Sequence, residues 1–148
     1  MVDRCVCCGA IIPEGRQVCP NCEKRPAIKT PVPTETQEQQ TLFRWAEMQK
    51  GKYPELALLF HISNEGKRNP GRAKAEGIKA GVPDLCLPVP RGPYHGAYIE
   101  MKRRKGGTVS KEQGEWLSAL ECQGYAVAVC KGWEEAAKFI KNYLEGDC

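Results

Sequence analysis

Between Gly81 and Lys102 the chain reads Gly-Val-Pro-Asp-Leu and then, further on, Ile-Glu-Met-Lys. In a β-strand residues two apart point to one face, so Glu100 and Lys102 share a face while Ile99 and Met101 turn the other way, into a core. Asp84 precedes a short apolar run, and a hairpin can bring it opposite Glu100. Phosphodiester hydrolysis needs charge on phosphate neutralised and a water activated near neutral pH. Hard cations held by carboxylate oxygens do both, and an adjacent lysine can orient the water or hold the phosphate. Asp84, Glu100 and Lys102 are such a set. The plain alternative is a surface Glu100–Lys102 ion pair beside a turn aspartate.

Two further places could complete it. Glu35, Glu38, Gln39, Leu42 and Ala46 fall on one helical stripe, which puts two carboxylates at the edge of a core where a cation could reach them. They also fit as ordinary first-turn acids favoured by the helix dipole. Gln113 lies on the apolar stripe of a later helix, yet Ser110-x-x-Gln113 is itself a capping box; cap and site both remain open for it.

A second chemistry lies at the N-terminus. Cys5/Cys8 and Cys19/Cys22 are two Cys-x-x-Cys knuckles separated by ten residues, with Gly9 and Pro20 where tight turns want them. Four thiolates are what a closed structural Zn²⁺ site takes, and a segment this short needs the metal to fold. A disulfide framework or redox pair is the alternative, disfavoured in reducing surroundings. Cys7 is an extra thiol that could compete with Cys5 or Cys8 as a ligand.

The elements that must position these groups follow from the rest of the chain. Residues 1–25 form the cysteine-rich ribbon, residues 26–33 a proline-rich linker, and residues 34–148 one compact α/β domain. Thr34 and Gln37 form a capping box opening a helix that carries Leu42, Phe43, Trp45 and Ala46. Leu56–Ile62 has strand length with a start that could be helical, and a short helix is expected near Ala73–Ala80. Strands follow at Asp84–Pro88 and Tyr94–Lys102, with a proline-rich turn between them. Ser110 caps a helix with Gln113, Trp116, Leu117 and Leu120 on its buried stripe; Gly124–Cys130 is a buried strand; and Gly132–Leu144 is a final helix with Tyr143 beside its core stripe. Cys86, Cys122 and Cys130 read as small core residues.

The net charge is +4, but His61–Lys111 holds eleven Lys/Arg against four Asp/Glu, whereas Glu112–Cys148 holds three against seven. The basic stretch suits a phosphate-rich partner, and Lys67, Arg68, Arg72, Lys74, Arg103, Arg104 and Lys105 are its candidate DNA contacts; a solvated basic loop is the alternative. No apolar run approaches the length of a spanning helix, and the expectation is a soluble, cytoplasmic protein.

Taken together, Gly-Val-Pro-Asp84-Leu, Tyr98-Ile-Glu100-Met-Lys102, Val109-Ser110-x-x-Gln113-x-x-Trp116-Leu and Gly124-Tyr resemble the VRR-NUC branch of the PD-(D/E)xK nucleases. The Ser63–Gly66 turn and the Glu35-x-x-x-Gln39…Trp45 helix match as well. The resemblance spans about Glu35 to Tyr143. It implies a restriction-endonuclease-like αβββαβ core and Mg²⁺- or Mn²⁺-dependent cleavage leaving 5′-phosphates. Asp84, Glu100 and the backbone carbonyl of Met101 would hold metal, Lys102 would assist the water, Gln113 would position water or phosphate, and Glu35, with Glu38 in reserve, would be the first-helix carboxylate. Small members resemble homodimeric phage or prophage enzymes that cut four-way (Holliday) junctions in a bacterial cell. Flaps or linear duplex are alternative substrates, and a non-catalytic zinc-ribbon nucleic-acid binder is the alternative class.

Overall fold

The computed structural model of the protein describes residues 2–24, 31–63 and 75–146. The chain divides into two compact units, Met1–Pro31 and Val32–Cys148. Most of the expected linker, the Ser63–Gly66 turn beyond Ser63 and the start of the helix expected near Ala73 lie outside the described residues.

The first unit is a two-stranded antiparallel ribbon, β1 (Asp3–Arg4) and β2 (Ile11–Ile12), followed by a single turn of helix, α1 (Pro20–Glu23). Proline suits the first position of α1, where its missing N–H would have had no helical partner. The small core is Cys5, Ile12 and Cys19, packed against Val18 and Cys22. Three buried side chains are far too few to offset the chain entropy of such a segment.

The second unit begins with α2 (Glu35–Gln49). The capping box is formed at both ends: the Gln37 N–H donates to Thr34 Oγ1 at 3.2 Å, and the Thr34 N–H to Gln37 Oε1 at 2.8 Å. Leu56–Ile62 divides: Pro54–Leu58 is a 3₁₀ turn opened by its proline, and only Phe60–His61 forms a strand, β3. Next come β4 (Leu85–Leu87), β5 (Ala97–Lys102), α3 (Lys111–Cys122), β6 (Ala126–Lys131) and α4 (Trp133–Glu145). The sheet order is β3-β4-β5-β6, antiparallel except for the parallel β5–β6 pair. This is the expected αβββαβ order, closed by the predicted final helix.

One face of the sheet, with Leu85, Leu87, Ala97, Ile99 and Met101, forms the core with Leu42 and Ala46 of α2 and Ala136, Ala137 and Ile140 of α4. Tyr143, expected beside the stripe of α4, is fully buried, and its hydroxyl donates to the Val89 carbonyl at 2.6 Å.

Three expectations of burial are corrected. β6 is an edge strand, and Val129 on its other face is exposed. The α3 stripe is only half-buried, because no layer covers that helix among the described residues. Cys122, at the end of α3, is exposed, while Cys86 and Cys130 are core residues as expected. The strand expected from Tyr94 begins at Ala97, since Arg91 and Tyr94 pair with each other to close the proline-rich turn.

Candidate active site

Leu85 pairs with Ile99, so the next antiparallel step sets Asp84 beside Glu100. Asp84 lies just before β4, where its Oδ2 accepts the Met101 N–H at 2.8 Å. A carboxylate thus closes the ladder where β4 runs out. The N–H and C=O of a strand residue face the same neighbour, so the Met101 carbonyl lies on the Asp84 edge of β5.

Glu100 is 0% exposed and Lys102 6% exposed. Lys102 Nζ donates to Glu100 Oε1 at 2.7 Å, and Gln113 Nε2 donates to the same oxygen. The other oxygen, Glu100 Oε2, is buried with no hydrogen-bond partner among the described residues. Burial pushes the Glu100 carboxyl up to about 7, against the pull of its Lys102 hydrogen bond and with the charges of Asp84 and Glu35 adding to the rise. Lys102 moves upward as well: burial opposes its charge, but the Glu100 hydrogen bond and the charges of Glu100, Glu35 and Asp84 outweigh it. The rise favours the cationic form of Lys102, suited to holding an anion or orienting water.

Gln113 answers to both of its sequence readings. Its Oε1 accepts the Ser110 N–H at 2.9 Å, its own N–H donates to Ser110 Oγ at 3.2 Å, and its amide nitrogen still reaches Glu100. The cap fixes the amide, and the amide orients the carboxylate. The same helix is held to the loop before Asp84, where Trp116 Nε1 donates to the Ala80 carbonyl at 3.0 Å. At Gly81 (φ +82) an added Cβ would lie 2.6 Å from the Glu112 carbonyl carbon, so only glycine lets loop and helix approach.

The two first-helix carboxylates part company. Glu35 opens α2, half-buried, and its charge acts on both Glu100 and Lys102. Glu38 is 1% exposed and is engaged elsewhere, by Arg104 and the Trp133 N–H. Arg104, a candidate DNA contact, reaches back to Glu38 while its side chain stays 41% exposed; Arg103 and Lys105 are exposed as well. Lys67, Arg68, Arg72 and Lys74 lie outside the described residues. The Glu38–Arg104 pairing was invisible in sequence because its partners are 66 residues apart and carry no local pattern.

A hard divalent cation suits the chemistry of these carboxylate donors. A buried carboxylate oxygen without a hydrogen-bond donor, beside other carboxylates, needs a cation to remain ionised at neutral pH. In the first unit the Sγ atoms of Cys5, Cys8, Cys19 and Cys22 lie within 4.8 Å of one another, and Cys8 and Cys19 are 3.7 Å apart. Tetrahedral Zn–S bonds of about 2.3 Å set sulfurs about 3.8 Å apart, so the four could hold zinc. Cys5 is drawn down to about 6, chiefly by the Cys19 N–H donating to its sulfur, whereas hydrogen bonds from Cys8 and Cys19 push Cys22 up to about 12. Cys7 is exposed and outside this group of four.

Comparison with known proteins agrees with this architecture. The VRR-NUC domain profile matches residues 29–134. A solved structure described as a VRR_NUC domain protein superposes with a TM-score of 0.68 at 30% identity, covering 78% of this chain and 91% of that one. No curated protein matches. The mixed sheet flanked by helices is that of a nuclease of the restriction-endonuclease-like fold. Within that class the chain belongs to the VRR-NUC family.

Proposed function

We propose that this protein is a Mg²⁺- or Mn²⁺-dependent endonuclease that acts as a homodimer on branched DNA. The substrate is a four-way Holliday junction, cut to leave 5′-phosphates, and the setting is the cytoplasm of a bacterial cell carrying a phage or prophage. The observation that carries the metal-dependent reading is the buried, undonated Glu100 Oε2 beside Asp84, on the strand that also presents Lys102.

Asp84, Glu100, the Met101 carbonyl and Glu35 would hold the divalent cation, which, when bound, supplies Lewis-acid charge at the scissile phosphate and lowers the pKa of water. Glu100 is held in one orientation by Lys102 and Gln113, so its free oxygen is presented without reorganisation. Asp84 is fixed by the Met101 N–H. Lys102, kept protonated, balances negative charge that grows on phosphate, and Gln113 can accept or donate to water at the same point. Arg103 and Lys105 carry exposed positive charge just past the catalytic strand, where a phosphate backbone would be drawn in, with Lys67, Arg68, Arg72 and Lys74 proposed alongside them. Cys5, Cys8, Cys19 and Cys22 hold a structural Zn²⁺.

The test is purified full-length protein with Mg²⁺ or Mn²⁺ on matched four-way, flap and linear duplexes, with its mass measured in solution. Paired, symmetric cuts in the four-way substrate by a species of twice the chain mass are expected. Preference for flaps or linear duplex, or a monomeric active species, would contradict the junction assignment; binding indifferent to divalent ions with no products would contradict the nuclease assignment itself.

A further inference from the structure

The most buried carboxylate outside the candidate site is Glu38, and both of its oxygens are occupied. Arg104 Nε donates to Oε1 at 2.5 Å and Arg104 Nη2 to Oε2 at 3.2 Å, and the Trp133 backbone N–H donates to Oε2 at 3.0 Å. The guanidinium also donates to Glu134 at 2.5 Å. The space it crosses is kept open by Gly132 (φ +90), where an added Cβ would lie 3.1 Å from Arg104 Cγ and Nε. The Gly132 N–H in turn donates to the Lys102 carbonyl at 3.0 Å. Three elements thus meet at one carboxylate: the first turns of α2, the end of the strand bearing Glu100 and Lys102, and the start of α4.

This junction adjoins the site on two sides. Glu38 follows Glu35 by about one helical turn on the same stripe. Arg104 follows Lys102 by two residues on the segment leaving β5. The carboxylate is 1% exposed but the arginine side chain is 41% exposed, so solvent screens the pair, and its two-pronged geometry supplies direction more than net stability. Held by a fork of charged donors, α2 has one position along the end of β5, whereas an apolar contact would let it slide.

We propose that Glu38 and Arg104 are positioning residues, a clamp on a buried carboxylate that sets the first turn of α2 so that the Glu35 carboxylate stands against Glu100 and Lys102 to complete the cation site. The inference rests on the reading of Glu35 as a ligand. It also takes Glu38 out of the ligand set.

The test measures Mn²⁺ binding calorimetrically on the full-length protein without DNA, for wild type, Glu35→Gln, Glu38→Gln, the double variant and Arg104→Lys, with thermal melts of each. Loss of a partner that orients a ligand weakens metal binding about tenfold or more. Glu38→Gln should weaken Mn²⁺ binding by about that factor in the wild-type background but by less than about twofold when Glu35 is already Gln, because the clamp acts through Glu35. Arg104→Lys, which keeps the charge but loses the fork, should fall between. Wild-type affinity in Glu38→Gln would overturn the proposal. So would equal weakening in both backgrounds, the mark of general structural damage. Wild-type affinity in Glu35→Gln would overturn it by removing the ligand assignment beneath it. If Glu38→Gln does not fold, Glu38→Asp enters the same cycle, with the same expected and contrary results.

Discussion

Glu100 has a donor on one oxygen from each of two directions and none on the other among the described residues, in a setting that pushes its carboxyl up to about 7. A proton or a cation must fill that gap, and at neutral pH the two compete. Replacing Glu100 or Asp84 by the isosteric amide should therefore abolish metal binding, with a loss of at least about 100-fold in metal-dependent cleavage while DNA binding persists; calorimetry and gel retardation separate the two. The triad Asp84, Glu100 and Lys102 was legible in sequence because strand alternation places Glu and Lys on one face whatever the rest of the fold does. Gln113 was ambiguous for a reason the structure explains: its amide oxygen caps α3 while its nitrogen reaches Glu100, so both sequence patterns are real. Glu35 and Glu38 could not be separated, because a helical stripe fixes a side chain's face but not which distant arginine meets it.

At the scale of elements, the site depends on two joints. The first is the Glu38–Arg104 clamp between α2 and the end of β5. Arg104 is the main cause that holds the Glu38 carboxyl below its ordinary 4.5, against the opposing effect of burial and with help from the Trp133 N–H. A depressed carboxyl contributes its stability above the unfolded value and loses it as pH falls through the lowered folded value. Glu38→Gln should therefore be less stable than wild type by about 1–3 kcal/mol at pH 7, and urea titrations should show the difference shrinking below pH 4.5 and gone once Glu38 is protonated in the folded state. The second joint is Gly81 against Glu112. Gly81→Ala meets both a left-handed φ and a backbone clash, and should cost about 1–3 kcal/mol or more in melting experiments while loosening α3 and hence Gln113. Element order was readable from caps and apolar periodicity. Burial was overestimated at β6 and α3, because sequence shows which face is apolar but not whether another layer covers it. The Leu56–Ile62 run has the helical start its sequence allowed, because Pro54 opens a 3₁₀ turn, and its strand is confined to Phe60–His61.

At the scale of the molecule, two compact units carry two separate chemistries: a four-cysteine cluster in Met1–Pro31 and a carboxylate site in Val32–Cys148. The first has too small a core to fold on packing alone, which the proposed zinc would offset, and the second has a core of its own. Chelation of zinc should thus unfold the ribbon and leave the melting transition of the nuclease unit in place, as amide NMR signals followed during chelator titration will show. In the second unit the proposed metal-dependent phosphodiester-cleaving centre is buried Glu100 with Asp84 and Lys102. Its most direct test is a side-by-side time course of wild type, Asp84→Asn and Glu100→Gln on a labelled four-way DNA junction, with and without Mg²⁺ or Mn²⁺, after confirming that each variant melts cooperatively. Products are expected from wild type only, and only with the divalent ion. Equal cleavage by a folded Glu100→Gln variant, or cleavage by wild type that persists in excess chelator, would contradict it.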